Sequence, residues 1–380
     1  MMFCPDKKII WEKYINGSAN KEEQAELEDH LEECERCSEY LNQKLMASTP
    51  EQKPRNNDRF RHIDFSSSLR KAKWKQRLSQ TTFVIALVVF VLLIGSFVSN
   101  FYYSAKKQER IRTVETAAVE SFFPNVRSQG GWSNIKPFFG MESRMGLVKD
   151  IGNDSKPVGQ FKFSYRFNQV KSTEKLWSEG QYKLKLYFVP PSVKKFDDLK
   201  HWNDEFWQAV EKLPDGTVSE VAFSFDRAYT IKELNEMLSK IIIDDRKMPV
   251  WYAVDTGEMN QEDLFIGPGQ VFGFNRYLTL DEEFDGKNFT QEQKITRMAQ
   301  LLSENEESIK QMDITTPGLS IKQKYNYIKK NGVKVYGVVL TGPTKDFLEF
   351  KDLKQVKFAT LGEVELWNWY DRPVSGASMN

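Results

Sequence analysis

From Thr81 to Tyr103 the chain carries no charged side chain, and Phe83–Gly95 is continuously apolar up to its final glycine. At about 1.5 Å of rise per residue, roughly 20 such residues cross the ~30 Å hydrocarbon layer of a bilayer, so residues 81–103 are predicted to form one transmembrane helix. Trp74 before the segment and Tyr102 and Tyr103 at its end supply aromatic anchors for the two interfaces. About 80 residues precede it, which excludes a cleaved signal peptide.

On the N-terminal side, Asn20–Leu45 has no proline or glycine in its interior and reads as a helix, with Asn20 at the N-cap and Glu23 three residues on, the spacing of a capping box. A shorter helix is expected over about residues 5–16, closed by a turn at Gly17. Residues 46–68 mix proline, asparagine and serine without an apolar period and read as a flexible tether. Ser68 is placed to cap a separate helix through Leu69–Leu78.

Beyond Thr113 the period changes repeatedly. Phe161–Phe167 and Tyr182–Phe188 alternate apolar and polar positions, as half-exposed strands do. Two later units share one outline. The first is a strand at Val221–Phe225, Thr230 as N-cap with Glu233 completing a capping box, a helix over 231–240 and a strand at Val250–Val254. The second is a strand at Val333–Leu340, Thr344 as N-cap, a helix over 345–353 and a strand at Val356–Leu366. A longer helix from Thr290 puts Ile295, Met298, Ala299 and Leu302 on one face. The expected fold is a small all-α N-terminal domain (1–48), a basic linker and juxtamembrane segment (49–80), one transmembrane helix (81–103), and an α+β extracytoplasmic domain (104–380).

The net charge of +1 conceals a division along the chain. Residues 1–48 hold eleven acidic and six basic side chains, net −5, whereas 49–80 hold nine basic and three acidic, net +6. A net-negative helical module is repelled by nucleic acid and attracted to basic protein surfaces, so direct binding of nucleic acid is not expected of it. The five cations of Arg70–Arg77 suit anionic lipid at the start of the span. The three cysteines, Cys4, Cys34 and Cys37, all precede the span. Thiols kept reduced belong in the cytoplasm, which puts the N-terminus inside and residues from about 104 onward outside.

The cysteines also carry the most specific chemistry. His30 and Cys34 stand at i and i+4, on one helical face, and Cys37 lies three residues further, where the helix must break or turn to bring its sulfur round. Cys4, on the approach to the first helix, can close a tetrahedron. Three thiolates and one imidazole make a closed shell of the structural zinc type, with no open position for a catalytic water. In a domain of about 45 residues, whose core is small, a bound Zn2+ would hold the fold. Release of the thiolates to a disulfide, as a redox switch, is left open by the same residues.

The pattern of Cys4, then His30-x3-Cys34-x2-Cys37, on a short acidic helical domain resembles the zinc-binding anti-sigma domain. The remainder of the chain, through its basic stretch Lys71–Arg77, the span, Gly131-Trp132, Phe347-Leu348 and Leu366-Trp367-Asn368-Trp369, resembles the sigma factor regulators of Gram-positive bacteria. The resemblance implies a single-pass cell-membrane anti-sigma factor. Its cytoplasmic helices would wedge between the two DNA-binding domains of an extracytoplasmic-function (ECF) sigma factor, and an envelope signal, acting through a protease or a membrane co-regulator, would release it. The alternative is a membrane-tethered zinc-domain scaffold for another basic cytoplasmic protein. A surface enzyme is the third class: the outer region has one histidine, His201, and no cysteine, and no catalytic spacing is recognisable, so no enzyme is expected. Gly267-Pro-Gly269 misses dinucleotide-loop spacing and reads as a loop, and Asp281–Glu292 departs from the calcium-loop pattern at Glu283.

Overall fold

The computed structural model describes residues 8–47, 65–179, 186–193, 199–242, 248–257, 264–278 and 289–369. The chain divides into two compact units, Met1–Thr81 and Thr82–Asn380.

In the first unit, helices α1 (Lys8–Ile15), α2 (Lys21–Glu33) and α3 (Glu35–Ala47) pack around Trp11, Leu27 and Cys37, each almost wholly buried. Ile10, Tyr14, Leu31 and Leu41 close the edges of this small core, with Tyr14 and Tyr40 set edge-on to the Trp11 ring. The turn falls at Gly17 (φ +70°), whose N–H and that of Ser18 donate to the carbonyls of Tyr14 and Lys13. The capping box at Asn20 forms in both directions, and Lys13 Nζ meets Glu23 at 2.6 Å, joining α1 to the start of α2. The single helix expected over Asn20–Leu45 is instead two. Cys34 adopts an extended conformation (φ −110°, ψ 100°); its N–H closes α2 on the His30 carbonyl, and its own carbonyl accepts from Ser38 at the start of α3.

Helix α4 runs without interruption from Phe65 to Tyr102. The separate juxtamembrane helix starting after Ser68 is therefore corrected to one continuous rod, since neither proline nor glycine interrupts the join and Leu69–Leu78, rich in Arg, Lys, Gln, Leu and Ala, supplies good helix formers. Of the predicted tether, residues 48–64 lie outside the described residues, and 65–68 are helical. Trp74–Tyr102 is long and apolar enough to cross a membrane, and almost none of it is covered by the rest of the protein.

In the second unit, α5 (Ala105–Phe122) follows Ser104 directly and its far half is core: Val114, Ala117, Ala118, Val119 and Phe122 are buried. Trp251 Nε1 donates to the Glu120 carbonyl at 2.8 Å. Two sheets come next. The first is a meander of β1 (Val126–Lys136), β2 (Gly140–Ile151), β3 (Asp154–Arg166) and β4 (Gln169–Trp177), all antiparallel. The predicted alternation at Phe161–Phe167 appears in β3, where Phe161, Phe163 and Tyr165 point into the core.

After α6 (Lys200–Lys212), the second sheet takes β5 (Thr217–Tyr229), α7 (Ile231–Leu238), β6 (Trp251–Val254) and β7 (Gly273–Asn275). Helices α8 (Gln291–Glu304), α9 (Glu306–Gln311) and α10 (Ile321–Asn331) intervene before β8 (Val335–Pro343), a 3-10 helix (Thr344–Phe350) and β9 (Val356–Leu366). The order is β7-β6-β8-β5-β9, every pairing antiparallel. Hence β5 and β6 are parallel with β8 between them, and β8 and β9 are parallel with β5 between them. The two units of common outline interlock as a pair of split β-α-β motifs. Their central strands are buried throughout β8 and through the first nine residues of β5.

The capping box predicted at Thr230 forms, the helix expected from Thr290 begins with a capping box of its own to Gln293, and Ile295, Met298, Ala299 and Leu302 are buried together. Thr344 does not cap. Its hydroxyl accepts from Thr217 at 3.0 Å, and the segment expected as an α-helix over 345–353 tightens to a 3-10 turn that lays Phe350 flat on Phe223 at 4.7 Å. Of Tyr182–Phe188, residues 182–185 are outside the described set, and Phe188 forms only an isolated bridge to Ile266. Residues 279–288, holding most of the calcium-like loop, also lie outside it.

Candidate metal centre

His30 occupies the last turn of α2, Cys34 the junction and Cys37 the first turn of α3. One side-chain donor atom from each lies within 4.8 Å of the others. The break at Cys34 allows this convergence: in an uninterrupted helix Cys37 would stand about 10.5 Å along the axis from His30, two turns away, whereas the extended residue restarts α3 with the Cys37 sulfur turned in. Cys4 lies outside the described residues.

The donors fit a metal. His30 Nε2 is buried and has no hydrogen-bond partner among the described residues. An unsatisfied buried polar atom of this kind costs about 1–3 kcal/mol, which coordination would remove. Two sulfurs with one imidazole nitrogen are the soft donors that transition metals of the zinc type prefer over hard oxygen-seeking cations. Cys37 is fully buried against Trp11 and Leu27, so a metal held there would tie α2 to α3 at the centre of the domain. A second buried orphan, Trp11 Nε1, lies in the same core.

The other feature that bears on function is the junction between the end of α4 and the two-sheet unit, which the sequence did not announce. The tips of the β1–β2 and β3–β4 hairpins close around the end of α4. The Phe138 ring lies on Gly95, where a Cβ would stand 2.9 Å from it. Ser99, fully buried, accepts at Oγ from the Phe139 N–H at 2.7 Å, and the Tyr103 hydroxyl donates to the carbonyls of Phe139 and Phe167. Phe139 and Phe167 stack at 4.6 Å with Tyr102 edge-on to both, and Tyr102 donates to Asn168 at 2.9 Å.

The C-terminal motif has a comparable role. Asn368 holds the β2–β3 turn by donating to the Ile151 carbonyl and accepting from the Asn153 N–H, and Gly152 (φ +63°) passes so close that a Cβ would collide with it. Trp369 is buried with Ile151 and Val218. Gly131 sits at a register shift in β1, and the exposed Trp132 carries the Arg144 guanidinium over its ring at 4.8 Å.

The chain carries, in order, the two segments that mark the sigma factor regulators, a class of anti-sigma factor. Residues 66–156 match the sigma factor regulator N-terminal family and residues 210–363 the sigma factor regulator C-terminal family. Over 392 aligned residues the chain is 28% identical to the "Probable anti-sigma-M factor YhdL" of Bacillus subtilis (strain 168), an alignment covering 97% of this chain and 100% of that protein. No solved structure matches the chain. The family implies a sigma factor as partner and a membrane anchor.

Proposed function

We propose that this protein is a single-pass anti-sigma factor whose N-terminal helices, held by Zn2+ on Cys4, His30, Cys34 and Cys37, sequester an ECF sigma factor at the cytoplasmic face of the cell membrane and release it on a signal received by the outer domain. The observation that carries this reading is the convergence of His30, Cys34 and Cys37 on one helical junction, in a chain whose later segments are those of the sigma factor regulators. When bound, the metal supplies a cross-link and no reaction. The chain's own residues do the rest. Trp11 and Leu27 pack the interior against Cys37, and the acidic exterior, net −5 over residues 1–48, suits the basic surfaces with which a sigma factor reads DNA.

The orientation rests on the cysteines, which precede the span, and the signal path on the outer unit's grip on the end of α4. The name of the relative, an anti-sigma-M factor, supports a sigma factor as the sequestered partner. No catalytic role is assigned to the outer domain.

The test is co-expression of the full-length chain with the ECF sigma factors of its own genome, with purification in detergent and measurement of bound zinc. One sigma factor should co-purify with the native chain and be lost, together with the zinc, from the Cys34→Ser/Cys37→Ser variant. A folded, zinc-loaded chain that retains no sigma factor would remove the reading.

A further inference from the structure

We infer that the two hairpin tips of the first sheet, centred on Phe138 and Phe167, are immersed in the outer edge of the bilayer beside α4, making the outer domain a membrane-embedded cap on the span and not a domain hung on a tether. The inference rests on the reading of the uncharged part of α4 as membrane-spanning.

Depth is the first observation. Gly95, under the Phe138 ring, lies seven residues before Tyr102, about 10 Å back along the helix axis. It therefore falls within the uncharged stretch 81–103, well short of the first charges beyond it, Lys106 and Lys107. Any bilayer that covers the apolar run up to Gly95 reaches the hairpin that rests there.

The second observation is how the tip satisfies its backbone. Irregular backbone is tolerated at membrane depth only where protein groups satisfy its polar atoms. Pro137 has no N–H. The N–H of Phe138 donates to the Gly95 carbonyl at 3.4 Å, and that of Phe139 to Ser99 Oγ. The Phe139 carbonyl accepts both from Tyr103 and from the Phe167 N–H, and the Phe167 carbonyl accepts from Tyr103 at 2.6 Å. These groups need no water.

The third observation is what the tips present outward. Phe138 and Phe167 are 46% and 47% exposed although their neighbours Ser99 and Tyr103 are buried. Both sit in the left-handed region, at φ 61° and 55°, as does Phe139 at 59°. A bulky residue there is strained where asparagine or glycine would not be. In water the exposed half of each ring contributes nothing to offset that strain, whereas lipid would bury it.

The test uses the full chain in phospholipid nanodiscs with the photo-crosslinking residue p-benzoylphenylalanine placed singly at Phe138, Phe167, Leu92 or Asp154, with phospholipid adducts read by mass spectrometry. Leu92 lies in the apolar run and reports the span itself. Asp154 is exposed at the opposite end of the same sheet, about 35–40 Å from the tips along the twelve residues of β2. Lipid adducts at 138 and 167 in yields comparable with 92, and none at 154, support the inference. Adducts at 92 alone overturn it while leaving the span intact, and their absence at 92 overturns the span and the inference together.

Discussion

Glu115 offers the sharpest prediction about the two-sheet unit. It stands on α5, 1% exposed, and accepts hydrogen bonds from Tyr165 at 2.6 Å and Ser143 at 2.7 Å. Burial outweighs these bonds and the nearby Arg112 charge and pushes its carboxyl up to about 7. The same helix carries Glu120, also pushed up to about 7 by burial, against the Ser128 N–H and the Arg127 charge that favour its ionised form. A carboxyl held neutral in the folded state and ordinary in the unfolded one favours folding fully below about pH 4.5, and that advantage is lost as pH rises through about 7. With each tenfold change in proton affinity worth about 1.4 kcal/mol, Glu115 alone accounts for roughly 3 kcal/mol of stability lost across that window. Carboxyls held low by neighbouring cations, such as Glu142 at about 2 beside Lys136, lose their contribution only on the acid side, so they do not mask the effect.

The perturbation is Glu115→Gln, which keeps a donor and an acceptor for Tyr165 and Ser143 without a titrating proton. Thermal unfolding of the full-length chain in nanodiscs, monitored by circular dichroism between about pH 5 and pH 8, is the assay. The native protein should lose stability over this range. The variant should lose roughly half as much, because Glu120 still titrates, and should exceed the native protein at pH 8 by up to about 3 kcal/mol. Identical pH dependence in the two proteins would refute the assignment of this titration to Glu115.

The remaining predictions concern the other contacts that hold the two units. Lys149 and Glu220 form a buried ion pair between the sheets, and Glu220 also accepts from Asn125 and from the Glu363 N–H. Glu220→Leu should destabilise the two-sheet unit by about 3–5 kcal/mol, and Lys149→Met in the same chain should recover most of it; a double-variant melting temperature no higher than that of Glu220→Leu would disprove the coupling. If the site holds a metal, stripping it with a chelator, or introducing His30→Ala, should unfold the N-terminal helices and leave the melting transition of the two-sheet unit unmoved, as read by differential scanning calorimetry. Gly95→Leu, which forces a side chain into the Phe138 ring, should lower that same transition by an overpacking penalty of about 1–3 kcal/mol; an unchanged transition would show that the hairpin does not bear on α4.

The sequence by itself determined the features whose physics is local or one-dimensional. A helix long and apolar enough to cross a membrane is a matter of length and charge. The capping boxes at Asn20 and Thr230 arise from a hydrogen bond reaching three residues along the chain, and both formed. His30 and Cys34 were legible as a pair because helical spacing fixes their shared face. Tertiary structure decided what depends on packing between distant segments. It broke the helix at Cys34, where a buried Cys37 packs against Trp11 and Leu27, so local propensity gave way to the core. It took the Thr344 hydroxyl for Thr217, 127 residues away, and spent the next turn on covering Phe223. It interlocked the two β-α-β units, since antiparallel pairing of β5 with β8 fills the gap that each split unit leaves. It also set Phe138 on Gly95 and Tyr103 beneath two hairpin tips, contacts across some 40 and 60 residues that no periodicity encodes. Such contacts form only because the meander's strand lengths and register carry both tips to the same end of the sheet, beside the helix from which the domain emerges.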